Sequence, residues 1–275
     1  MNRMDLRHFL LLCVTLCAAA SLALLSGCKG NTSAAAMVEK TVSPPPHVQA
    51  YETRADPRYA DPLTNPVWTA AHWLPLVSPI GTDRTTDAAS GAFLFDANTL
   101  YVAIISHKPE SAVAQDLVSV FLDSSRLCNG SEIIHVAVNS AGRASCTWIR
   151  DAEPPSRPRD DGTPDAFHPL SKIPVESMVP DLFTHIGAGT QHGRPVWTAV
   201  IAIPVRKLPL PLQAAPVAGT EWKVNLLRTT VATAPSSNLE PLQSNLSPVF
   251  VGQQAVAPYR MATLELVNTQ VSVAQ

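Results

Sequence analysis

The sequence predicts an all-β chain folded as an antiparallel two-sheet β-sandwich of jelly-roll-like form. Three observations carry this. Short stretches alternate apolar and polar residues and are separated by turn residues. No segment sustains a helical period long enough to build a bundle. The chain also holds 25 prolines, which loops and edge strands tolerate and helix interiors do not.

The stretch Asp116 to Asp123 reads as the central strand. Val118, Val120 and Leu122 fall on one face, and Leu117, Ser119, Phe121 and Asp123 on the other. Glu132 to Val138, the turn Asn139-Ser-Ala-Gly142 and Arg143 to Ile149 extend it as a hairpin in the same sheet. Upstream, Phe93 to Phe95 and Leu100 to Ile105 flank the turn Asp96-Ala-Asn98. Downstream, strand signals recur at Leu182 to Gly187, Trp197 to Pro204, Trp222 to Thr229 and Ala262 to Val267. Asp61-Pro-Leu-Thr-Asn-Pro-Val-Trp68 reads as a turn entering a short apolar segment, with Trp68 in the core. Asp151 to Pro180 is rich in proline and charge and reads as one long loop, of the kind that is usually functional or mobile.

The amino terminus has the layout of a secretory signal, with Arg3 and Arg7 ahead of an apolar run from Phe9 to Leu25. Leu25-Ser26-Gly27-Cys28 resembles the bacterial lipobox, in which the cysteine is acylated and becomes the new terminus. Several acyl chains on Cys28 would anchor stably, since a single chain contributes only about 0.8 kcal/mol per buried CH2 and binds marginally. Lys29 is not the aspartate that usually retains a lipoprotein in the inner membrane, so an outer-membrane address in the cell envelope is expected, facing the periplasm or the surface. The expected organisation is a signal peptide at 1–27, a tether at 28–50, a sandwich at 51–268 and a tail at 269–275. Cys128 and Cys146 are the thiols left for a candidate disulfide in an oxidising compartment.

Composition narrows the function. A formal net charge of -2 with 15% charged residues offers no basic stripe for nucleic acid. The chain lacks a Gly-x-Ser-x-Gly elbow, a His-Glu-x-x-His helix and a phosphate loop, so an enzyme is not expected. His168, His185 and His192 have no compact ligand spacing, so no metal site is expected either.

Seven segments in order are DPLTNPVW, NTLYVAI, QDLVSVFLD, HVAVNSAG, VWTAVIAIP, GTEWKVNLLRT and PYRMATLEL. Together they resemble the family 9 carbohydrate-binding modules and their wider, DOMON-like relatives over about Asp61 to Val267. The resemblance implies a sandwich that binds sugar on a concave face, as a non-catalytic accessory to glycan-degrading enzymes. It also implies a clamp of two tryptophans with charged side chains, and at those positions this chain has Val113, Ala255, Ser119, Ala137 and Val200. Some relatives bind haem through ligands that include methionine. That likeness would point to His107 or His135 with Met178 or Met261, but no cofactor is expected.

The face carrying Leu117, Ser119, Phe121, Ala137, Val200 and Leu227 is more apolar than a sugar site needs. Carbohydrate is therefore expected on other residues, with Trp148, Trp73, His135, Asn225 and Arg228 as candidates. Asn225 and Arg228 should lie on opposite strand faces, with Arg228 in a structural pair. The alternative is a scaffold lipoprotein with a degenerate sugar site. Its apolar sheet face would dock a protein partner, an apolar ligand or the chain's own long loop.

Overall fold

The computed structural model describes residues 44–80, 88–108, 114–128, 130–150, 171–174, 181–232, 241–249 and 260–268. The segment expected to be a signal peptide, Cys28, most of the expected tether, Val113, most of the expected long loop, Met178, Ala255 and the expected tail lie outside the described residues.

Thirteen strands are described. They are β1 (His47–Glu52), β2 (Leu74–Pro75), β3 (Ala89–Phe95), β4 (Thr99–His107), β5 (Ala114–Asp123), β6 (Glu132–Asn139) and β7 (Ala144–Arg150). β8 (Ser171–Pro174), β9 (Phe183–Gln191), β10 (Arg194–Pro204), β11 (Glu221–Ala232), β12 (Leu242–Asn245) and β13 (Ala262–Val267) follow. A short helix α1 (Pro66–Thr69) precedes β2. The hydrogen-bonded order is β8-β7-β6-β5-β11-β13-β1-β3-β4-β10-β9, with β12 on β11 and β2 on β3.

This path turns back on itself to make the two layers of a β-sandwich. One core joins Val118, Val120 and Leu122 of β5, Ile134 and Val136 of β6 and Leu226 of β11 to Phe93 of β3, Ile104 of β4 and Ile201 of β10. The layers are in contact at Gly91, where a Cβ would lie 2.3 Å from Leu226 Cδ1, so only glycine fits without moving the core. The central strand is β5, paired antiparallel to β6 and β11 with its even residues inward.

Two features depart from the expected sandwich. β1 begins at His47, inside the segment expected to be a tether, and it pairs in parallel with both β13 and β3. Val48 and Ala50, fully buried, are part of the core. β8 occupies four residues of the stretch expected to be one loop, and pairs with β7.

β3, β4 and β10 are buried on both faces, which explains their unbroken apolar runs. Their second face lies under residues 60–73. Asn65 caps α1 by accepting from Val67 N at 3.0 Å, and Pro66 opens its first turn. That turn drives Trp68 onto Ala92, Ala103 and Val200. Val200 thus faces Trp68 on one layer, away from Ser119 and Ala137 on the other, and the apolar face expected to hold all three divides between layers. At the β3–β4 turn, Asp96 accepts from Asn98 N and Thr99 N, both at 2.8 Å, and from the Tyr101 hydroxyl at 2.6 Å. Burial and this bond to Asp96 raise the Tyr101 pKa.

A buried polar cluster ties the layers at one end. Asp116 of β5 accepts from Arg228 Nη2 at 2.9 Å, Trp197 Nε1 at 2.9 Å, Ser106 Oγ at 3.2 Å and Thr230 Oγ1 at 2.5 Å. Arg228 also donates to the His107 carbonyl at 2.9 Å. Arg228 is therefore the structural pair expected of it, and its charge is spent inside the fold.

Cys128 and Cys146 are not joined, contrary to the candidate disulfide. Cys128 Sγ is 2.9 Å from the Ser125 carbonyl and 3.1 Å from that of Glu221, at the start of β11. Cys146 pairs with Val136 in β7, three strands away across β5 and β6. Three strand spacings are about 14 Å, whereas a disulfide needs Cα atoms roughly 4.4–6.8 Å apart. Burial, with Asp123 beside it, pushes the Cys128 thiol up to about 11. We expect a reductant to leave the melting temperature unchanged. Alkylation of Cys128 at pH 8 should also run far more slowly in the folded than in the denatured protein. A fall of several degrees on adding dithiothreitol would contradict the unbridged arrangement.

Candidate functional site

The candidate residues fall on three different surfaces, because strand parity separates them. Trp148 and Arg228 share the even phase of the core rows and face the interior. His135 and Asn225 carry the odd phase and lie on the outer face of the β5–β6–β11 layer. Trp73 lies over the outer face of the opposite layer. They do not converge on one groove.

Trp148 packs at the margin of the core. Its Nε1 donates to Glu132 Oε2 at 2.6 Å, and the Arg150 guanidinium lies 4.6 Å from its ring centroid, covering one face. Glu132 also holds Arg150 at 3.4 Å. This stack occupies the ring that was expected to receive a sugar.

On the outer face of β5 and β6, His135 stacks on Phe121 with centroids 4.4 Å apart and planes 13° from parallel. Its Nε2 lies 3.0 Å from Ser119 Oγ. Asn225 donates from Nδ2 to the Ser247 carbonyl at 3.1 Å and accepts from Ser247 N at 2.9 Å, which clamps the 245–249 segment to β11. Phe121, Ile133 and Ile149 pack with Met261 and Leu227. Ser119, Phe121 and Ala137 are only 3%, 6% and 7% exposed. The face that the family resemblance assigns to sugar is therefore closed. His107 belongs to β4 of the opposite layer, so it does not meet Met261 as a haem pair.

Among the described residues an open cleft lies on the other layer, around Trp73. A cleft of about 680 Å³ is bounded by Trp73, the 61–64 loop and the end of β9 with the turn after it. That volume is in the range of small-molecule sites, about 300–1,000 Å³. Ser90 and Ile105, cross-strand neighbours on β3 and β4, lie at its base. Thr64, Thr190, Gln191 and His192 supply hydroxyl, amide and imidazole groups around the rim.

Each wall has a local cause. Trp73 donates from Nε1 to the Trp68 carbonyl at 2.9 Å, and its ring leans on Trp68 with centroids 6.5 Å apart. The platform is thus held by the same helix that seals the layer. Asp61 shapes the loop by accepting from Leu63 N at 3.0 Å and from Thr64 Oγ1 at 2.9 Å. Leu63 then seats on β9 at Gly189, where a Cβ would lie 2.4 Å from Leu63 Cδ1. His192, with φ of 50°, forms the tight turn to β10 with Gly193 and so stands at the mouth.

Sequence reasoning singled out Trp73 but not its surroundings. Ser90, Ile105 and the β9–β10 turn come together with it only through strand order. A signal was present in His192-Gly193, a hairpin dipeptide, and in Gly187 and Gly189, which share one face. Among the described residues no group of three or more His, Cys, Asp or Glu side chains is placed to hold a metal ion.

Comparison with solved structures finds the same fold. A candidate carbohydrate-binding protein from Bacteroides uniformis matches with a TM-score of 0.56 at 12% identity, over 80% of this chain and 99% of the other. Two structures of a family 9 carbohydrate-binding module from Caldicellulosiruptor kristjanssonii also match at 16% identity. The complex with cellotriose has a TM-score of 0.46, over 82% of this chain and 97% of the other. The complex with glucose has a TM-score of 0.47, over 80% and 96%. No protein-family model matches the sequence, and no curated protein does. The resemblance read from the seven segments holds at the level of the fold, an all-β sandwich shared with the Bacteroides uniformis protein.

Proposed function

We propose that the protein is a lipid-anchored, non-catalytic carbohydrate-binding protein of the bacterial cell envelope. Its sugar would sit in the Trp73 cleft instead of on the face that the family resemblance indicates. The observation that carries this reading is the pairing, on a sandwich of this fold, of a fixed indole with hydroxyl and amide groups around the rim. An indole offers a flat apolar surface to the C–H face of a pyranose, while hydroxyl and amide groups replace water around its hydroxyls.

The absence of catalysis in this reading rests on the same cleft. Asp61 is its carboxylate among the described residues, and both of its oxygens are engaged in shaping the loop. Glycoside hydrolysis requires two carboxyl groups flanking the bond.

The full-length chain in detergent, tested on a glycan array and on insoluble polysaccharides, should bind at least one glycan class. A folded sample that binds none would overturn the reading. The second reading, a scaffold lipoprotein with a degenerate sugar site, is favoured by the closed outer face of β5 and β6. It predicts that outcome together with a stable protein partner.

Attachment through Cys28 is tested separately. Growth with radiolabelled palmitate should label the wild-type chain, and Cys28→Ser should abolish the label and release the protein from membranes. The aim is an outer-membrane fraction facing the periplasm or the surface, and retention of the label in Cys28→Ser would refute the anchor.

A further inference from the structure

The Trp73 cleft has an aromatic neighbour packed over the same strand, β9. Tyr59 is 71% exposed, yet its ring is held edge-on against Phe183, at 4.9 Å between centroids and 66°, and against His185, at 5.9 Å and 62°. The Arg58 guanidinium lies 5.9 Å from the Phe183 ring. Its position is set by Asp56, which accepts from Nε at 2.9 Å and from Nη2 at 2.6 Å. An exposed tyrosine ring held in one orientation by its neighbours is the kind of group that carries binding energy at recognition sites.

Its place in the fold connects it to the cleft. Phe183, His185, Gly187 and Gly189 alternate along the outer face of β9, and Gly189 lines the cleft. Residues 59–63 follow the same strand, with Tyr59 against His185 and Leu63 against Gly189. Four residues of strand separate those two contacts, or about 13 Å. A single sugar ring cannot reach both, but a chain of several can.

We propose that Tyr59 is a second sugar platform and that the ligand is an extended glycan chain lying over the 59–63 segment that runs along β9. One unit would stack on Trp73 and a later unit on Tyr59. This rests on the carbohydrate reading of the Trp73 cleft. Edge-on packing against Phe183 and His185 leaves the Tyr59 ring preorganised, which limits the ordering cost of binding. Arg58 keeps guanidinium N–H groups beyond those given to Asp56, which suit the hydroxyls of the outer unit.

The test uses the full-length chain in detergent and size series, monosaccharide to hexasaccharide, of α- and β-linked glucans, xylans, mannans and galactans. Wild-type affinity should rise with length, and Tyr59→Ala should weaken binding of the longer members by about five- to tenfold. Monosaccharide binding and melting temperature should stay as in wild type, and Tyr59→Phe should retain the gain with length. Wild-type binding that is independent of length, or a Tyr59→Ala loss equal at every length, overturns the extended site while leaving the Trp73 cleft standing. No binding of any series by folded wild-type protein overturns both.

Discussion

Asp116→Ala is expected to destabilise the domain by about 3–5 kcal/mol, because it removes the carboxylate that pairs with the buried Arg228 charge. For a domain of this size that is a fall in melting temperature of roughly 6–20 °C. Asp116 is the acceptor for Arg228, Trp197, Ser106 and Thr230, from both layers, so its loss strands donors on β4, β10 and β11 together. Arg228→Met should cost less, since three donors still satisfy the carboxylate. The double variant Asp116→Leu with Arg228→Met should recover much of the loss, because an apolar replacement of a whole buried pair is often neutral. Urea unfolding of the four proteins measures the three losses. A loss below about 1 kcal/mol in Asp116→Ala would mean that water or a neighbour replaces the carboxylate readily, and that the cluster does not tie the layers.

Trp73→Ala is expected to weaken glycan binding by at least tenfold, about 1.4 kcal/mol. Trp148→Ala should leave it within about twofold, because Arg150 and Glu132 already occupy that indole and the resulting changes fall below a hot-spot effect. The contrast between two tryptophans on different surfaces distinguishes a local site from a general loss of structure. Trp73 also contacts Trp68, so the melting temperature of Trp73→Ala is read alongside, and Trp73→Phe keeps a flat ring in place. The opposite pattern, with Trp148→Ala losing binding and Trp73→Ala retaining it, would move the sugar site to the β7 edge.

Strands were legible wherever one period dominated. The alternation of Val118, Val120 and Leu122 against Ser119 and Phe121 set the inward and outward faces of β5, and the structure keeps that phase. The Asn139–Gly142 turn fixed the β6–β7 register, and with it the opposite orientations of His135 and Trp148. β12 was missed because it is only four residues long, and β1 because its neighbours are distant in sequence. His47–Glu52 lies between β13 and β3, and no local pattern indicates a parallel partner at Thr263 or Phe93. Val200 was placed with Ser119 because alternation assigns a residue to a face of its strand but does not say which layer that strand joins.

By itself, the sequence determined the all-β class, the hairpins, the parity of the central strand and the burial of Trp68. Those properties follow from local periodicity and turn chemistry, which act over a few residues. Only the tertiary structure decided that Asp116 meets Arg228, that Cys128 and Cys146 stay three strands apart, and that the open polar cleft lies beside Trp73. These contacts join segments up to about a hundred residues apart in the chain. Their partners are set by strand order and by which layer each face meets, and two strands with the same alternation can occupy either side of a sandwich.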